Sequence, residues 1–248
     1  MADTATNNVP WYQDYGGTWV RWILDGFDKA HKQAKTVAIV LTSTILLCIV
    51  SSMLKQQGGW FKYKPVLYLA TLILIVASGF FILSKDARTK HPELLQNGVF
   101  AGQMLMLAGL AADLNFLSVL IATAGTVVGG YFAFIHAKRW ANDKVREELT
   151  NNAERMRFWA PLVSLILNFL AIAFFIYYTH RTGAMLVFGV SAVMLGISAV
   201  YLLLVYMPFF TSLLALGEEE QKFAAVTLYL ELARIYFWGL MLLAISKK

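Results

Sequence analysis

FAAVTLYLELARIYFWGLMLLAIS, residues 223–246, decides how this chain is built. Its length and apolar content are those of a membrane-crossing helix, yet Glu231 and Arg234 sit inside it. On insertion scales a lone ionised side chain near a helix centre costs on the order of 3 kcal/mol in hydrocarbon, so such a charge needs a partner, a water path or a task. The two are three residues apart on one helical face and can neutralise each other. If the segment spans, the chain has seven helices in the membrane; if it re-enters, six.

Composition places the remaining sequence in the same setting. Of 248 residues, 58% are hydrophobic and 15% charged, and the mean hydropathy is +0.60, too little polar surface for a soluble globule of this size. The fold class is all-α and polytopic, because the runs are long enough for helices to cross a roughly 30 Å core and lack the alternation of barrel strands. Six further segments qualify: Val37 to Leu54, Pro65 to Ser84, a short Gly98 to Ala112, Phe116 to His136, Phe158 to Tyr178, and Ala184 to Met207. Only Asp113, Leu114 and Asn115 separate the third from the fourth, which predicts a tight antiparallel hairpin.

Basic residues set the orientation. With seven spans, fourteen Lys and Arg fall on the side of the N-terminus and six on the other, so the N-terminus is expected on the cytoplasmic or matrix face. Trp60, Trp140 and Trp159 flank spans, as amphipathic indoles do at the headgroup layer. Residues 1–35 form an N-terminal segment ahead of a single membrane domain, 36–248. Within it Trp19 to Ala34 has one apolar side, fitting an interfacial helix or a leader packed on a partner subunit. The +6 net charge lies in loops beside the membrane and suits anionic lipid; no aromatic-basic module for nucleic acid is present.

The chemical inventory points away from catalysis. His31, His91, His136 and His180 are far apart, and no HExxH, CxxC, phosphate-binding loop or GxSxG motif occurs, so no enzyme, metal or cofactor role is expected. The lone Cys48 reads as a small packing residue. Gly102 and Gly109 in the third segment, and Gly125 and Gly129 as a GxxxG in the fourth, predict two smooth helices in close contact. Lys138 to Arg157 reads as a charged cap between spans. Glu218, Glu219 and Glu220 complement the N-terminal dipole of the last helix and are too divergent on a helix to share one calcium ion.

LLQNGVFAGQMLMLAGLAADLNF at 94–116 and FLSVLIATAGTVVGGYFAFIHAKRW at 116–140 together resemble the central hairpin of the Bax inhibitor family. The ending TLYLELARIYFWGLMLLAISKK, 227–248, is similar to that family's closing helix with its carboxylate. The resemblance implies a seven-helix bundle in an intracellular membrane, acting as a calcium- or proton-sensitive leak or its regulator. It also implies two buried acids that share a proton. Glu231 matches the last-span acid, but the sixth-span position falls near Tyr201, and no carboxylate occurs from Ala184 to Met207. Two carboxylates in one dry site titrate as a coupled pair, whereas a single one beside Arg234 does not.

Two readings therefore stand. In the first, Glu231 faces a cation pathway in an endoplasmic reticulum or similar membrane, with Arg234, Asp113 and Tyr201 around it. In the second, Glu231 and Arg234 form an internal ion pair in a non-catalytic accessory subunit of a larger assembly, such as one in the mitochondrial inner membrane. The lipid bilayer is a partner in both.

Overall fold

A computed structural model describes residues 32–54, 64–112, 114–140, 153–180, 184–202 and 218–245. The described residues are all-helical: α1 Lys32–Met53, α2 Lys64–Leu83, α3 Lys85–Lys90, α4 Pro92–Ala112, α5 Phe116–Trp140, α6 Ala153–His180, α7 Ala184–Tyr201 and α8 Glu218–Ile245. The amphipathic stretch from Trp19 falls outside them except for 32–34, which open α1. Asp113 and residues 141–152 also lie outside.

Local chemistry sets the element boundaries. Ser84 caps α3 by accepting from the Ala87 amide at 3.2 Å, and Pro92 then opens α4 at the position where a missing N–H costs nothing. The third apolar segment is thus not short. It is 21 residues long, because Gln96 and Asn97 continue the helix that the apolar run alone would start at Gly98. The connection between α4 and α5 is short, as predicted, but the two helices do not pack on each other as a tight antiparallel hairpin. Leu114 donates to the Ala111 carbonyl at 3.0 Å, and Asn115 caps α5 by accepting from the Ser118 amide at 2.9 Å.

Beyond that turn the two glycine-rich helices part company. α4 packs on α1 and α2, while α5 packs on α8 and α1. The close contact expected of the small residues occurs for α4: a Cβ at Gly102 would lie 2.8 Å from the Leu74 backbone nitrogen of α2, and Gly109 is buried. It fails for the GxxxG of α5. Gly125 and Gly129 are exposed, with no described atom within 4 Å of an added Cβ, because α5 meets α8 through a different stripe, with Ala122 against Gly239.

The most enclosed helix is the one whose charges made its status ambiguous. α8 packs against α1, α4, α5, α6 and α7, and 72% of its apolar window Gln221–Leu243 is buried. It runs unbroken for 28 residues, more than the roughly 20 that a crossing needs. A helix apolar nearly all round belongs at the centre of a bundle.

Outward faces are apolar as well. Ile39 and Leu46 of α1, Leu69 and Leu72 of α2, Leu117 and Ile121 of α5, and Val193 and Val200 of α7 are all exposed. Apolar surface on this scale is foreign to a water-soluble monomer. Among the described residues, three helices are long and apolar enough to cross a membrane: Lys35–Met53, Pro92–Ala112 and Gln221–Leu243.

Candidate functional site

Helical spacing puts Glu231 and Arg234 on one face of α8, and the fold turns that face toward α6 and α7. Both side chains are 0% exposed. The guanidinium grips the carboxylate with two nitrogens: Nη1 donates to Oε1 at 3.1 Å, and Nη2 donates to Oε2. Fork-to-fork pairing of this kind is the strong form of an Arg–carboxylate contact.

Neighbouring helices complete the pair. The Ser164 hydroxyl of α6 donates to Glu231 Oε1, and the Ser164 carbonyl accepts from Arg234 Nη1 at 3.3 Å. From α7, the Ser198 hydroxyl accepts from Arg234 Nε at 3.1 Å. The Tyr201 ring centroid lies 5.7 Å from the guanidinium carbon, and the phenol donates to the Ala160 carbonyl at 2.5 Å. Pro161 lies in this turn of α6 and removes one donor from the backbone ladder. The next turn also has the Asn168 amide donating to the Ser164 carbonyl at 2.9 Å.

Of the sequence-derived candidates, Glu231, Arg234 and Tyr201 come together, and Asp113 lies outside the described residues. A neutral phenol occupies the position where the family resemblance calls for a second acid. Ser164 and Ser198 were not singled out by sequence. Their only signal is a serine in an otherwise apolar span. Chemically the arrangement holds a self-neutralised ion pair: a fixed guanidinium already fills the place where a transported cation would meet the carboxylate.

The opposite side of α8 carries a second polar set that sequence reasoning missed. Thr44 of α1 donates to the Val40 carbonyl at 2.8 Å, so the Tyr229 phenol is the donor in its 2.9 Å bond to the Thr44 oxygen. Tyr236 pairs with Thr123 of α5 at 3.3 Å. This directionality makes an asymmetric prediction. Tyr229→Phe leaves Thr44 bonded to Val40 and costs about 1 kcal/mol, whereas Thr44→Val strands the buried phenol and costs up to about 3 kcal/mol. Thermal melts of the two detergent-solubilised variants check the order.

At the N-terminal end of α8, Glu219 meets Arg88 of α3, with Nε 3.5 Å from Oε1. Arg88 also donates to the Phe81 carbonyl at 3.1 Å, and its guanidinium lies 4.4 Å from the Phe223 ring centroid. The acidic start of the helix therefore has a specific cationic partner besides the helix dipole. Among the described residues no group of three or more His, Cys, Asp or Glu side chains converges as a metal site would. Comparison of the chain with protein-family models, curated proteins and solved structures finds no match in any of the three.

Proposed function

We propose that this chain is a polytopic membrane protein of seven spans, built like the Bax inhibitor family it resembles, and that it works as a non-catalytic accessory subunit of a larger membrane assembly. The observation carrying this reading is the Glu231–Arg234 pair, fully buried and bonded to Ser164 and Ser198. A carboxylate that must release and rebind protons or cations is poorly served by a permanent bidentate counter-charge, whereas a bundle that must keep one geometry is well served by it. The long helices α1, α2 and α4–α8 follow the seven apolar segments of the sequence, and the central position of α8 supports a full last span. Exposed apolar faces offer contact to lipid and to other subunits.

The seat of action is an intracellular membrane, the mitochondrial inner membrane or the endoplasmic reticulum, with the N-terminus on the matrix or cytoplasmic side. Purification in mild detergent tests the reading, with a stoichiometric complex as the expected result. Proteoliposomes holding the purified chain are expected to pass cations no faster than protein-free vesicles. Flux that is present in the parent and lost in a folded Glu231→Gln variant would instead establish a leak through this site.

A further inference from the structure

On the α8 seam, two buried polar atoms have no hydrogen-bond partner among the described residues: the indole Nε1 of Trp238, 1% exposed, and the hydroxyl of Ser191, 0% exposed. Helix directions place them on the same side of the ion pair. Tyr201 reaches Ala160 while Ser198, three residues earlier, shares Arg234 with Ser164, so α6 and α7 run antiparallel. Ser164 meets Glu231, and Phe174 packs on Trp238 with ring centroids 5.3 Å apart, so α6 and α8 run parallel. α7 is therefore antiparallel to α8. Ser191 is two turns from Ser198 on one face of α7, about 10 Å along the axis toward the C-terminal end of α8. Trp238 is one turn from Arg234, about 6 Å in the same direction. The buried Asn168 lies that way too, whereas in the other direction the Tyr201 ring closes over Arg234.

We propose that the seam between α6, α7 and α8 binds internal water at Ser191 and Trp238, hydrating the Glu231–Arg234 pair from its α8 C-terminal side. An indole N–H can only donate and so requires an acceptor, while a serine hydroxyl can both donate and accept. Glu231, Ser164 and Ser198 take four of the five N–H groups of Arg234 among the described residues, leaving one for an acceptor of the same kind. Water oxygen suits all three, and buried water typically makes about three hydrogen bonds to polar groups that lack other partners. The inference needs the fold and its membrane setting but not the accessory-subunit role.

Radiolytic oxidation tests it, because hydroxyl radicals made from bound water modify the side chains beside that water. The full chain in proteoliposomes is irradiated, and oxidation at Trp238 is followed by mass spectrometry, with its buried neighbour Phe237 as reference. Trp238 is expected to oxidise several-fold faster than Phe237, and Ser191→Val, which replaces the hydroxyl with apolar bulk, to slow it several-fold. Ser191→Ala, which adds no bulk, serves the same comparison should the valine variant misfold. Equal, slow oxidation at Trp238 and Phe237 in the parent overturns the proposal. So does fast Trp238 oxidation that neither folded variant reduces.

Discussion

Arg234→Ala is expected to lose the folded bundle, with a destabilisation of about 3–5 kcal/mol, because it leaves the Glu231 carboxylate buried and unpaired at the centre of five packing helices. The mutation also strips a donor from the Ser164 carbonyl and from the Ser198 hydroxyl. Removing both charges is a different experiment. In Glu231→Leu/Arg234→Met the ion pair is exchanged for apolar side chains of similar reach, and buried pairs replaced in this way are often neutral or stabilising. The double variant is therefore expected to recover most of the loss, with Ser164 and Ser198 falling back on their own helix carbonyls. Monodispersity and thermal stability in detergent separate these outcomes. If Arg234→Ala melts with the parent, the pair does not hold the last helix in place.

That contrast also shows what the sequence could and could not disclose. The spacing of residues 231 and 234 is enough to predict their pairing, since side chains three apart on a helix meet whatever surrounds them. The helices, the three-residue turn before α5 and the apolar faces follow from equally local signals. What surrounds the pair is not local. Ser164 and Ser198 lie 67 and 36 residues from the groups they bond, and a lone serine in an apolar span has no pattern that marks its partner. Tyr229 and Thr44 are 185 residues apart and were silent for the same reason. Arg88 sits in a hydrophilic run that reads as a connection, yet it is 8% exposed because Phe223 and Glu219 of α8 close over it.

The glycines mark the same limit from the other side. A small-residue stripe states that a backbone can be approached, not which neighbour approaches it, so Gly102 and the Gly125–Gly129 motif look alike in sequence and behave oppositely in the fold. Gly102→Val should separate them sharply. Its first side-chain carbon would come within 3 Å of the nitrogen, Cα and Cβ of Leu74, where backbone cannot swing aside as a flexible side-chain tip can. α2 and α4 must then move apart along their contact, which also holds Gly98 against Ala77 one turn away. The cost is expected at or beyond the top of the roughly 1–3 kcal/mol range for overpacking. Gly125→Ala is the matched control. It meets no described atom and gains helix propensity, so its stability should equal the parent's or rise by up to about 1 kcal/mol. Melting curves in one detergent decide the matter: Gly102→Val must fall well below the parent while Gly125→Ala does not. Equal losses at the two sites would mean that the α2–α4 contact is not where the bundle is tightest.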